Sequence, residues 1–283
     1  MEHIITDAWG GVTKMFHLCG DGCHVGAVTA GLAVLNGRTI ASAASDFAAK
    51  QARRKGAARP KTVKKVADEF LTFMRVEYDE HYKASKMPAN LREGPEFLLG
   101  GYSQNEKFPS LYRILVKENL VQDEFVSGDS GLAWNAQSDA VERIMRGYDR
   151  NLRSEIEKRL DHAIKAFQAN MNTEVLRIIE DILAKLNVGM PEGVDTTLPT
   201  QVTMTPAWDD AKLRIPYSGL PLQEAVNFVS YLIFMQAGKS RFVRGVATVG
   251  GRTHIGVITK DKGFRQLNEP ELTHRFTGFA DDH

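Results

Sequence analysis

Within the eight residues from 17 to 24, His17, Cys19, Cys23 and His24 bring together two imidazoles and two thiols, the donor set that Zn²⁺ prefers. Against a metal stands the spacer. Gly20-Asp21-Gly22 reads as a hairpin tip, and ligands on one tight turn rarely enclose a tetrahedral ion, so two thiols without metal are expected. His81, in DEHY, and His254, in RTHIG, stand alone with no nucleophile in their sequence context. Both read as ordinary helix-end or strand residues rather than proton carriers. Gly250-Gly251 lacks the trailing Lys-Ser/Thr of a phosphate loop and precedes a strand, so a turn is expected there. Lys50 to Lys65 carries eight positive charges and no negative one. Such a run can touch phosphate, but it holds no aromatic residue for base stacking and reads as a solvated interhelical loop.

The elements that must position these groups follow from periodicity. Val25–Leu32 is a compact apolar run expected to be a buried strand, and the alanine-rich, proline-free stretch Asn36–Arg54 is expected to be helical. Lys61–Tyr82 is amphipathic, with Val63, Val66, Phe70, Phe73 and Met74 on one stripe. Phe97–Tyr102 and Ser110–Val116 flank a polar turn with Asn105 and Pro109 and predict a β-hairpin. A short strand is expected at Asp123–Ser127 and a helix from Ser138 to about Gly147. Leu152–Leu186 places Ile156, Leu160, Ala163, Phe167, Met171, Val175, Ile178 and Ile182 three or four residues apart, predicting one long helix or a helical hairpin packed on its parent domain. Five of the ten prolines lie between Met190 and Leu222 and mark an irregular excursion. A helix over Leu222–Met235 and a strand over Thr253–Thr259, closed by a KDKG turn, complete the chain.

With 283 residues, 43% hydrophobic and 25% charged, the sequence supports one substantial core or two modest ones. Thirty-six basic residues against thirty-five acidic ones exclude a global electrostatic attraction to nucleic acid or an anionic membrane. Two cysteines are too few for a disulfide framework, which suits a reducing, cytoplasmic setting. No apolar segment approaches the roughly 20 residues that span a bilayer, and MEHIITDAWGG lacks the regions of a signal peptide.

Three stretches, in this order, carry a resemblance: HVGAVTAGL before a helix, FLLGGYSQNEKFPSLYRI, and PLQEAVNFVSYLI followed by VGGRTHIGVITKDKGF. Together they resemble the proteasome-subunit family of N-terminal-nucleophile hydrolases. The resemblance implies an α+β fold, a four-layer αββα sandwich with a helical insertion. Residues 1–150 would form its first part, 151–218 a helical and Pro-rich insertion, 219–270 the closing helix and strands, and 271–283 a tail. It also implies attack on a peptide or other amide by an N-terminal Thr, Ser or Cys whose own α-amino group is the base, with no cofactor and no metal. At the family-like positions stand Lys14, which would activate the nucleophile, and Asp7, which would hold Lys14. Thr6 is adjacent to Asp7 and would point to the opposite face of a strand, so the expectation is either a chain that has lost its first strand and is inactive or a sequence that begins downstream of the true start, with the nucleophile upstream.

Two departures favour an alternative. Asn135-Ala136-Gln137 replaces the family's serine-bearing glycine motif, although Ser130 lies nearby, and RGVATVGG stands where active subunits tend to present an aspartate and a serine. The alternative is a non-catalytic assembly subunit of the same fold. In either case the expected partners are copies of the same chain or related subunits, with no membrane, and with nucleic acid reached only through Lys50–Lys65.

Overall fold

The computed structural model describes residues 14–19, 24–125, 128–190, 208–242 and 253–267. Thr6, Asp7, Cys23 and Gly250-Gly251 lie outside the described residues. The chain divides into two units, one formed by Met1–Ser138 with Pro216–His283 and the other by Asp139–Ile215.

The first unit begins with β1 (Met15–His17) and β2 (Val25–Ala30), antiparallel neighbours with His17 opposite Gly26. A short hairpin follows, β3 (Val34–Leu35) and β4 (Arg38–Thr39), around Asn36-Gly37. Both turn residues have positive φ, 51° and 71°, the backbone that a two-residue primed turn demands and that Asn-Gly supplies at little cost. This turn is why α1 (Ile40–Ala52) starts four residues later than its alanine content alone predicts. Thr39 caps α1 by accepting the Ser42 N–H, and Thr62 caps α2 (Val63–Tyr82) by accepting the Lys65 N–H. His81 is structural: its Nδ1 accepts the Asn36 N–H at 3.1 Å, while Asn36 Nδ2 donates to the Glu77 carbonyl and carboxylate.

β5 (Glu96–Gly101), β6 (Ser110–Leu115) and β7 (Leu120–Phe125) complete a five-stranded antiparallel sheet in the order β1-β2-β5-β6-β7. One row of its register runs Phe16, Ala27, Leu99, Tyr112, and beside it Phe97 faces Ile114. These side chains share one sheet face and form the core with Phe47 of α1 and Val66, Phe70 and Met74 of α2. Phe70 is fully buried, with its ring meeting Phe47 and Phe97 edge-on at 5.0 and 4.9 Å.

The opposite sheet face carries Met15, Gly26 and Leu98. After α5 (Leu222–Phe242), β8 (Gly256–Thr259) and β9 (Gly263–Gln266) form a hairpin that lies against it. The Phe264 ring stacks on His17 at 5.3 Å and covers Gly26, where a Cβ would come within 2.6 Å of that ring. A second β layer therefore packs on the side of the sheet away from α1 and α2. Among the described residues, no helix is long and apolar enough to cross a membrane.

The second unit contains α3 (Asp139–Arg146) and α4 (Arg150–Lys185), a single unbroken 36-residue helix. No residue of α4 is buried, and Ile156, Phe167, Met171, Ile178 and Ile182 are exposed. Asp149 sits at the α3–α4 junction with a buried side chain that accepts the Leu152 N–H at 2.9 Å and pairs with Arg143. The Leu152 N–H does most to hold this carboxyl below its ordinary value; burial opposes it, and Arg143 adds to the lowering. A carboxyl depressed on folding stabilises the fold above its unfolded pKa of about 3.9, and that contribution is lost as pH falls through the lower folded value. Asp149→Ala is therefore expected to cost about 1–2 kcal/mol at pH 7 in a urea titration, with the gap to wild type narrowing as pH falls through the folded value.

Candidate functional site

Lys14 immediately precedes β1, the outermost strand of the sheet among the described residues, and its carbonyl accepts the Thr29 N–H at 2.9 Å. Its side chain is exposed and makes no ion pair among the described residues. Asp7, its expected partner, lies outside the described residues. The strand ladder thus fixes where Lys14 stands and leaves its ammonium accessible.

The two histidines of the histidine–cysteine group meet different partners. His17 is stacked on Phe264, whereas His24 donates from Nε2 to the Lys260 carbonyl at 2.8 Å. Cys19 is disulfide-bonded, which corrects the expectation of thiols. The only other cysteine in the sequence is Cys23. A disulfide also removes cysteine usage as an argument for a reducing compartment. Among the described residues, no three His, Cys, Asp or Glu side chains are arranged to hold a metal ion. His254 is half-buried, and its Nδ1 is buried without a partner.

The residues do converge at one end of the sheet, where the start of β2, the β5–β6 turn, the α1–α2 connection and the β8–β9 turn enclose a cleft of about 590 Å³. Its walls are tied by backbone geometry. Ser103 Oγ accepts the Val63 N–H at 3.2 Å, the Lys61 carbonyl accepts the Gln104 N–H at 2.8 Å, and the His24 carbonyl accepts the Tyr102 N–H at 2.9 Å. The hairpin tip is thereby fastened to the N-terminus of α2, and His24 fastens β2 to the turn at Lys260.

Arg59, Lys61, Lys260 and His24 line this cleft, and among the described residues no carboxylate does. The basic run behind it is not uniform. Lys50 and Gln51 belong to α1, Lys64 and Lys65 belong to α2, and only 53–62 forms the connection. Arg54 and Lys65 pair with Glu69, and Lys64 pairs with Asp68, whereas Arg59, Lys61 and Lys260 have no acidic partner among the described residues. Burial alone would raise the Glu69 carboxyl, but hydrogen bonds from Gln51 and Arg54 and the charge of Arg54 outweigh it and hold the group below its ordinary value. Glu69 is thus committed to the inner pair, and the cleft keeps its positive field.

The expectation of a solvated loop over Lys50–Lys65 missed this wall. Pro60 before the cap Thr62 marks where the connection ends. No local sequence signal brings Lys260 to it. Comparison with protein-family models, with curated proteins and with solved structures returned no match.

Proposed function

We propose that the chain is a proteasome-like subunit with the N-terminal-nucleophile hydrolase fold, a four-layer αββα sandwich, acting on a peptide or other amide bond. The observation that supports this reading most is the β-on-β packing. The β8–β9 hairpin covers the sheet face opposite α1 and α2, with Phe264 seated on Gly26 and His17. Lys14, at the entry to β1 with its side chain exposed, would electrostatically activate a nucleophile carried by an N-terminal segment, and Asp7 would orient Lys14.

A specific observation also favours the non-catalytic assembly subunit, namely the exposed apolar stripe of α4. A second copy of the chain suits it. The N-terminal half of α4 carries more cations (Arg150, Arg153, Lys158, Arg159 and Lys165) than anions (Glu155, Glu157 and Asp161). The C-terminal half has Glu174, Glu180 and Asp181 against Arg177 and Lys185, so an antiparallel pair sets opposite charges beside the stripe.

Intact mass and N-terminal sequencing of the protein from its native cells, with peptide-amide turnover on the same sample, separate the two. The hydrolase reading expects a mature chain that begins with Thr, Ser or Cys ahead of Asp7. It also expects turnover that falls about 100-fold or more in Lys14→Ala. A chain beginning at Met1 without turnover overturns the hydrolase reading, and light scattering that finds a dimer then supports the assembly role.

A further inference from the structure

We propose that the cleft between the α2 N-terminus and the β5–β6 turn is a binding site for a small, multiply charged oxyanion that bears hydroxyl groups, separate from any chemistry at Lys14. Three features carry this inference. Arg59, Lys61 and Lys260 come from the α1–α2 connection and the β8–β9 turn, line one cleft, and have no acidic partner among the described residues. Three cations that line one cleft repel one another, and a multivalent anion relieves that repulsion. The Arg59 guanidinium also offers the planar fork that matches carboxylate or phosphate oxygens.

The second feature is the frame. The cleft opens at the start of α2, whose dipole favours negative charge, and Thr62 and Ser103 hold that helix start in place. A volume of about 590 Å³ suits a metabolite-sized ligand rather than a bare ion, and Val25, Val66 and Tyr102 add apolar surface for its body.

The third feature is Gln51. It lines the cleft, is 3% exposed, and donates from Nε2 to Glu69 at 2.8 Å, but its Oε1 is buried with no partner. An acceptor left unpaired in a low-dielectric wall costs stability until a donor reaches it. A hydroxyl on the ligand is such a donor once the Gln51 side chain turns toward the cleft, which narrows the class to sugar phosphates or hydroxycarboxylates.

The test is thermal unfolding of the full chain at low salt with ribose 5-phosphate or with citrate, each against sodium chloride at matched ionic strength. Binding to the folded state is expected to raise Tm by roughly 5 °C near saturation. In R59Q/K61Q/K260Q, three exposed positions whose change leaves the core untouched, the rise should fall below about 1 °C. A shift with ribose 5-phosphate alone identifies a phosphorylated ligand, a shift with citrate alone a carboxylate, and equal shifts an oxyanion site that does not discriminate. No rise beyond the salt control with either probe, or an undiminished rise in the triple variant, overturns the proposal. Amide chemical-shift mapping of the wild type gives a second reading that needs no variant. Changes confined to residues 24–25, 51, 56–66 and 102–105 and the Lys260 turn support the site, and changes centred elsewhere overturn it.

Discussion

Phe70→Ala is expected to destabilise the first unit by about 3–5 kcal/mol, a large share of the roughly 5–15 kcal/mol that separates a folded domain from its unfolded chain. Phe70 has no exposed surface and stands between Phe47 of α1 and Phe97 of β5, so it joins both helices to the sheet. Truncation removes the transfer free energy of a buried ring and leaves a cavity whose walls belong to three elements. Such walls cannot collapse together without moving the sheet register. A urea titration measures it: the midpoint should fall sharply while the slope stays constant. Val76→Ala on the same helix is the control. Val76 is 66% exposed, and its truncation should stay within about 0.5 kcal/mol of wild type.

The second large effect is expected at Gly101, the last residue of β5. Gly101 faces Val25 across the ladder, and a Cβ there would stand 2.0 Å from the His24 carbonyl oxygen. The obstacle is backbone, so no side-chain rotation relieves it, and β2 must part from β5 at this end of the sheet. Gly101→Ala should cost about 3 kcal/mol. It should also displace His24 and Tyr102–Asn105, which line the cationic cleft. Amide exchange would report this as faster exchange at Tyr102, whose N–H is held by His24. Gly219→Ala meets nothing within 4 Å and should be silent.

The contrast between these sites and the rest of the chain shows what a sequence discloses. Val63, Val66, Phe70 and Met74 announce α2 because burial against a sheet imposes a helical period that composition preserves. The β5–β6 hairpin is equally plain, since its two runs are adjacent in the chain and their turn residues are explicit. The Asn36-Gly37 hairpin escaped because an alanine-rich continuation masked a two-residue turn whose meaning depends on φ. The stripe on α4 was legible as a stripe, but periodicity states only that one face is apolar and never what covers it. The candidate cleft was half visible. Its basic connection stood out, yet Lys260 and the Ser103 clasp on α2 reach it through tertiary structure. A family resemblance points to Lys14, and the sheet fixes its place at the entry to β1 with no acidic partner among the described residues.

The placement of Phe264 over Gly26 also sets a schedule for the growing chain. At ribosomal speeds of roughly 5–20 residues per second, the ring arrives about 12–50 s after the strand it covers. Through that interval the outer sheet face, including Met15 and Leu98, waits in water beside whatever else is being made. The molecule's period of greatest vulnerability to aggregation is therefore written into its connectivity, and a nascent-chain chaperone that shields a bare sheet face would find its task here.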